Sequence, residues 1–132
     1  MESDQFTLDE ANALVPWLEE IFQRLAQGRR ERVVLQERLT ELLRRRESNE
    51  PHSSNDELTQ MREEVDRLSS QMEDGVEEIL DRGIIVRDVD RGLVDFPSPR
   101  EDREIFLCWI GGEERIESWH ETDRGFAHRQ PL

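Results

Sequence analysis

The stretch LEEIFQRLAQGRRERVVLQERLTEL, residues 18–42, decides the fold because its apolar side chains recur with the period of a helix. The recurring positions, at alternating steps of three and four, are Leu18, Ile21, Leu25, Gly28, Arg32, Leu35, Leu39 and Leu42. This spacing puts them along one side of a helix, in the heptad pattern by which one helix packs against another. The arginines at 44–46 follow near the predicted helix end, where positive charge is favoured.

A second heptad stretch follows after a short polar loop that contains Pro51. Its repeating positions are Leu58, Met61, Val65, Leu68, Met72, Gly75 and Ile79. Ser54 and Glu57 form a capping box that starts this helix, and Gly83 ends it. Two heptad helices joined by a short loop predict an antiparallel, coiled-coil-like helical hairpin over residues 7–82.

The beginning of the first helix carries its own start signal and a break. Thr7 and Glu10 have the spacing of a capping box, in which each side chain bonds the other residue's backbone N–H. Pro16 cannot donate a backbone hydrogen bond, so we expect a kink or break close to it. The first helical segment, from Leu8 to about Glu20, has no partner in the second helix and is expected to cover one face of a sheet.

Beyond Gly83 the apolar period changes to two, which indicates strands. The predicted strands cover residues 84–90, 93–96, 104–109 and 116–120. Without the first of these strands the predicted fold class would be unchanged. The prolines at 97 and 99 are expected to end the second strand. The sequence therefore predicts an α+β fold in one domain, residues 1–132. A long antiparallel helical hairpin is followed, over 83–132, by a small sheet of three to four antiparallel strands.

Composition excludes several classes of protein. The chain of 132 residues has 32 acidic and 18 basic residues, a net charge of −14, and every base is arginine. The absence of lysine excludes Schiff-base enzymes and lysine-dependent phosphate loops. One cysteine excludes an internal disulfide, and no apolar run approaches the ~20 residues that span a membrane. We expect a cytoplasmic protein without a membrane interaction. Because acids accompany the arginines, we also expect no nucleic-acid partner.

The densest cluster of chemically active residue types lies near the end of the predicted sheet. Asp95, Glu113, His120 and Glu121 offer nitrogen and oxygen ligands for a divalent metal ion, and apart from such an ion we expect no cofactor. The alternative is a histidine at a strand end that bonds a carboxylate and holds two strands in register. Cys108 could be a nucleophile beside His120, but Leu107 and Trp109 flank it as in an inert core thiol.

Several motifs, in their order along the chain, resemble a bacterial family known as domain of unknown function 2203. The stretches that carry the resemblance are FTLDEANALVP at 6–16, GLVDFP at 92–97, LCW at 107–109, GE at 112–113, WHE at 119–121, GF at 125–126 and RQPL at 129–132. The resemblance implies a small bacterial domain without an established activity. It also implies that Asp95, Glu113, His120 and Arg129 belong to one motif set, with Arg129 as a residue that binds a ligand.

Two functional interpretations stay open. In the first, the chain is a structural or protein-interaction module whose hairpin meets a protein partner, with a second copy as the expected one. Val15, Phe22, Val33, Val34 and Leu43 widen the apolar side of the first helix beyond what one partner helix can cover, which predicts a homodimer. In the second, the sheet binds a metal ion or small polar ligand around His120, with or without catalysis. No nucleophile elbow, phosphate loop or dinucleotide fingerprint supports an enzyme.

Overall fold

The computed structural model of the chain describes residues 5–132, and residues 1–4 of the predicted domain lie outside the described part. Contacts divide the chain into two compact units. The sheet unit comprises residues 5–23 and Gly75–Leu132, and the hairpin unit comprises Arg24–Asp74. Along the chain, helices precede an antiparallel sheet, which confirms the α+β class.

The helices begin and end where local sequence signals place their caps. The three α-helices are α1 (Leu8–Ala13), α2 (Val15–Glu47) and α3 (Asn55–Asp81). Thr7 Oγ1 accepts from the Glu10 N–H at 3.1 Å, and Glu10 Oε1 accepts from the Thr7 N–H at 2.8 Å, so the predicted capping box is present. The break falls at Leu14, and Pro16 is the second residue of α2, where a missing N–H breaks no helical bond.

The hairpin unit buries the heptad positions of α2 and α3. Its buried apolar residues are Leu25, Leu42, Leu58, Val65 and Leu68. Arg32 Nη1 donates to Ser69 Oγ at 3.4 Å, and Arg46 Nη1 donates to Asn55 Oδ1 at 3.2 Å. Since later positions of α2 meet earlier positions of α3, the two helices run antiparallel in this unit, as the heptad pattern predicts.

The sheet has five strands, rather than the three to four that the sequence predicts, and neighbouring strands are antiparallel. In spatial and chain order the strands are β1 (Ile85–Asp88), β2 (Leu93–Arg100), β3 (Arg103–Trp109), β4 (Ser118–Glu121) and β5 (Gln130–Pro131). The additional strand, β5, is a two-residue pairing of the chain end with β4. A strand this short has no apolar period of its own.

The expectation that the prolines end β2 is wrong. Pro97 pairs with Phe106 and Pro99 with Glu104, so the strand continues to Arg100. On its other side, β2 pairs with β1 only as far as Asp95. Beyond that point β2 is an edge strand, where a proline without an N–H leaves no broken ladder bond. The free carbonyl of Pro97 accepts instead from the Phe6 N–H at 2.7 Å.

Side-chain alternation gives the sheet two chemically different faces. One face, here called the helix face, packs against the start of the chain and of α2. There the Phe22 ring stacks on Trp109 with centroids 6.2 Å apart, and Phe6 meets Phe96 edge-on at 5.3 Å. Neighbouring strand positions direct their side chains to the opposite face. The residues that alternate with Phe96 and Trp109, Asp95 and Cys108, therefore lie on that opposite face.

Candidate functional site

Three buried side chains of different chemistry meet on the opposite face of the sheet. Asp95 and Cys108 are directly paired residues of β2 and β3, and His120 of β4 pairs with Phe106, two positions from Cys108. Their relative exposures are 2%, 0% and 1%. One carboxylate oxygen, the thiol sulfur and one ring nitrogen lie within 4.8 Å of one another. We call Asp95, Cys108 and His120 the buried cluster.

The neighbours of His120 determine which of its two ring nitrogens carries a hydrogen. Nδ1 lies 2.9 Å from the backbone carbonyl of Glu121, and Nε2 lies 2.9 Å from Asp95 Oδ1. A carbonyl can only accept, so Nδ1 carries a hydrogen, and a neutral ring then presents a lone pair at Nε2. An ionised carboxylate also presents only lone pairs. The contact between Nε2 and Oδ1 therefore requires a proton or a metal ion between the two atoms.

The second oxygen of Asp95 is held from the sheet edge by an arginine. Arg87 Nε donates to Asp95 Oδ2 at 2.9 Å, while the Arg87 side chain stays 45% exposed. Its guanidinium also lies 5.3 Å from the Phe106 ring centroid, and that ring meets His120 edge-on at 5.6 Å. Arg87 thus orients the carboxylate so that Oδ1 faces His120.

The surroundings of Cys108 disfavour its thiolate form. Burial raises the pKa of its thiol to about 12, the negative charge of Asp95 adds to the increase, and Arg129 opposes it. A buried thiol with a raised pKa is a poor nucleophile at neutral pH. Although the sulfur lies near His120, this burial does not support the interpretation that Cys108 attacks a substrate with His120 as its base.

Two further residues that the sequence singles out, Glu113 and Arg129, form a pair next to the buried cluster. Glu113 Oε2 accepts from Arg129 Nη1 at 3.1 Å, and Glu113 Oε1 accepts from the Ile110 N–H at 3.0 Å. The Arg129 guanidinium also stacks on Phe126, 4.1 Å from the ring centroid. Both oxygens of Glu113 are thus engaged, and its pairing with Arg129 holds that arginine near Cys108.

Glu121 lies away from the buried cluster. It follows His120 in β4, so alternation directs its side chain to the other face of the sheet. There its carboxylate accepts from Arg103 Nε at 3.1 Å. Of the four metal ligands predicted from the sequence, the structure brings together Asp95 and His120, and it places Glu113 and Glu121 in other contacts.

A pocket of about 400 Å³ opens beside the buried cluster. The residues that line it are Arg87, Leu93, Asp95, Cys108, Thr122, Asp123, Arg124, Gly125 and Phe126. Two members of the cluster therefore face a space large enough for a small organic molecule. The turn after β4 and the short 3₁₀ segment Phe126–His128 supply the rest of the wall.

Residues 5–132 match the sequence profile of a family described as Uncharacterized conserved protein (DUF2203). The chain belongs to this family. The resemblance predicted from the motifs is thereby confirmed. No curated protein and no solved structure matches the chain. Across residues 5–132, no helix combines the length and the apolar character needed to cross a membrane.

Sequence reasoning about this DUF2203 chain does not find Arg87, and it treats Cys108 as a nucleophile or an inert core thiol rather than as a partner of Asp95. Leu107 and Trp109 flank Cys108 in the sequence, although alternation directs its side chain away from both. Arg87 gave no signal, because β1 shifts register between Val86 and Asp88 and the strand pattern fails there. Locating either residue in the site requires the pairing of β1 and β3 with β2.

Proposed function

We propose that this DUF2203 protein binds a divalent transition-metal ion of the zinc type through Asp95, Cys108 and His120. The contact between His120 Nε2 and Asp95 Oδ1 carries the proposal. Two buried lone-pair atoms lie 2.9 Å apart and need a positive charge between them. A metal ion supplies that charge, and Cys108 offers it a third ligand atom.

The ligand chemistry supports a zinc-type ion rather than magnesium or calcium. Imidazole nitrogen and thiolate sulfur suit zinc and its neighbours, whereas magnesium and calcium take oxygen ligands. A tetrahedral ion with bonds of roughly 2.0–2.3 Å separates its ligand atoms by about 3.3–3.8 Å. The cluster atoms span 2.9 Å to 4.8 Å, so side-chain shifts of about 1 Å or less would seat the ion.

The surroundings of the ligands support the same proposal. A divalent ion with one carboxylate and one thiolate is neutral as a set, which suits a buried position. His120 donates its other ring N–H to a backbone carbonyl, the usual way in which a metal-binding histidine is oriented. Arg87 orients the Asp95 carboxylate in a similar way, by donating to its other oxygen, Oδ2. Both contacts leave the facing atoms, Nε2 and Oδ1, free to bind the ion.

The test uses cobalt as a spectroscopic substitute for zinc. The full chain is stripped with a chelator, loaded with Co²⁺ or Zn²⁺, and measured by elemental analysis and by absorption. We expect one ion per chain and a thiolate-to-cobalt charge-transfer band. Cys108→Ser should abolish the band, and His120→Gln should lower metal content, with circular dichroism confirming that each variant folds.

Glu121→Gln is the matched control, because Glu121 adjoins His120 in sequence but lies on the helix face. This variant should still bind one metal ion per chain and show the thiolate-to-cobalt charge-transfer band. The proposal is overturned if folded wild-type protein takes up no ion, or if Cys108→Ser keeps the charge-transfer band. In that case the charge between Nε2 and Oδ1 is a proton, and the cluster acts as a buried ion pair that holds β2 against β4.

Self-association through the hairpin unit is a second candidate function, favoured by two exposed valines. Val33 and Val34 stay 40% and 66% exposed, because α3 does not cover this side of α2. A groove of about 410 Å³ lies beside Val34. Its walls carry both signs of charge, from Arg30, Glu31, Arg38 and Glu64. A twofold pairing of two copies can set each sign against the other, so a homodimer is the partner that fits this surface.

Sedimentation equilibrium tests this second candidate at protein concentrations of tens of micromolar, roughly where weak dimers form. We expect the wild-type chain to dimerise and Val34→Glu to be monomeric. Leu80→Glu is the matched control, because Leu80 is also an exposed apolar residue but belongs to α3, and this variant should remain dimeric. A monomeric wild-type chain, or a dimeric Val34→Glu variant, contradicts the candidate.

A further inference from the structure

We propose that the pocket beside the buried cluster binds a small carboxylic acid, whose carboxylate completes the coordination of the metal ion. The proposal rests on the metal site of the preceding section. Three protein ligands leave one position of a tetrahedral ion open, which is the arrangement of sites that bind or transform small molecules. Asp95 and Cys108 both line the pocket, so the open position faces its interior.

The pocket offers positive charge from an arginine that has no ion-pair partner among the described residues. Arg124 lines the pocket, and its guanidinium makes no ion pair with any other residue between 5 and 132. Arg87 stands across the same space with its Nε bonded to Asp95. A guanidinium presents a planar set of N–H groups that matches the two oxygens of a carboxylate. Arg124 is therefore the residue that would recognise the ligand.

The negative residues of the wall decide between a carboxylate and a phosphate. Asp95 and Asp123 both line the pocket, and the Asp95 charge is offset by Arg87. Asp123 in turn offsets the charge of Arg124, so the charges of the wall nearly balance. The cost of removing water from an anion rises steeply with its charge, and a balanced wall does not compensate the larger cost of a doubly charged phosphate. The pocket therefore favours a monocarboxylate.

The experiment titrates the cobalt-loaded full chain with lactate and, separately, with inorganic phosphate. Entry of a carboxylate into the open position changes the visible absorption of the cobalt ion. We expect a saturable change with lactate, at least about fivefold weaker binding of phosphate, and competition between lactate and acetate. The charge-transfer band from Cys108 should persist throughout, because the protein ligands remain bound.

Two adjacent residues of the wall give variants with opposite expected effects. Arg124→Gln should weaken lactate binding about tenfold, whereas Asp123→Asn should tighten it or leave it unchanged. Neither substitution should alter the cobalt content. The proposal is overturned if cobalt binds but lactate leaves its absorption unchanged, or if Arg124→Gln binds lactate as the wild type does. If cobalt does not bind at all, it is the metal site itself that fails, and elemental analysis identifies that outcome separately.

Discussion

Asp95→Asn in the metal-free chain is the sharpest test of the buried cluster as a physical unit. The substitution keeps the size and shape of the side chain but removes its charge and one of its two acceptor oxygens. In the wild type, Oδ1 meets His120 and Oδ2 meets Arg87, each at 2.9 Å. An asparagine oxygen can still accept from Arg87 Nε, and its amide N–H can donate to Nε2 of a neutral His120, so the substitution removes the charge of both interactions rather than the contacts themselves.

The two weakened interactions differ in value because their partners differ in exposure. His120 and Asp95 are both almost fully buried, and a hydrogen bond to a charged group contributes about 1.5–3 kcal/mol against about 0.5–1.5 kcal/mol for a neutral one. Arg87 is nearly half exposed, so the charge of its bond contributes at most about 1 kcal/mol. We expect Asp95→Asn to lower the free energy of unfolding by about 1–2.5 kcal/mol.

Urea unfolding followed by tryptophan fluorescence measures this loss, because Trp109 and Trp119 belong to the same sheet. For a chain of this length the expected fall in Tm is about 3–12 °C. Glu121→Gln, which removes the partner of the exposed Arg103, is the matched control and should cost about 1 kcal/mol or less. Chelator is present throughout, so that metal binding does not contribute.

The reasoning is refuted if Asp95→Asn unfolds within about 0.5 kcal/mol of the wild type. A further arm replaces both buried partners, Asp95→Leu with His120→Phe, by apolar groups of similar size. Such replacements of buried ion pairs are often neutral or stabilising. We expect the double variant to be at least about 1 kcal/mol more stable than Asp95→Asn. The fold would then be stable without Asp95 and His120, and ligand binding would be the reason for their presence.

The remaining predictions concern single positions. Arg129→Met should raise the zinc Kd of the protein about tenfold, because it removes the positive charge that favours the Cys108 thiolate. Metal binding releases the proton of the Cys108 thiol, whose pKa is about 12, and also displaces the proton that lies between His120 Nε2 and Asp95 Oδ1 in the metal-free chain, so the apparent Kd from calorimetric titration should rise at least about tenfold for each pH unit lowered. Arg32→Leu should stabilise the chain in urea by about 1 kcal/mol, because Arg32 Nε is buried without a hydrogen-bond partner among the described residues. Glu101→Asn should add about 0.5–1 kcal/mol in the same assay, because Glu101 has φ 49° in the turn between β2 and β3, where asparagine is better tolerated.

The helical part of the fold follows from signals that lie within a few residues of one another. The capping box at Thr7, the break before Pro16 and the glycine that ends α3 each act within one helical turn. Gly83 has φ 86°, a conformation that ends a helix at little cost only for glycine. Such signals can be read before any tertiary contact is known, and the structure confirms all three.

The buried cluster depends instead on strand register, which turns and long connections set. Glu101 and Asp102 form the turn between β2 and β3, and Arg100 pairs with Arg103. Counting outward from that pair puts Asp95 opposite Cys108, so locating the turn would have located two members of the cluster. Glutamate followed by aspartate is not a typical signal for such a turn, which favours asparagine and glycine.

His120 could not have been added in the same way. Its pairing with Phe106 is set by the connection between β3 and β4, over residues 110–117, whose path depends on contacts with distant residues. Asn12 Oδ1 accepts from the Ile116 N–H at 2.7 Å, and Glu19 Oε1 accepts from the Gly112 N–H at 3.1 Å. Polar residues of the first two helices thus position this connection, and no local pattern records that.

The motif set that the family resemblance links divides, in the structure, into two pairs with different tasks. Asp95 and His120 face each other with Oδ1 and Nε2 2.9 Å apart, whereas Glu113 and Arg129 join the connection after β3 to the segment before β5. The second pair places a positive charge near Cys108, where it opposes the effect of burial on the thiol pKa. A thiol that must lose its proton to bind a metal benefits from such a charge, whereas an inert core thiol does not. In the proposed metal site, Asp95 and His120 are two of the ligands, and the pair of Glu113 and Arg129 makes the third ligand, Cys108, available.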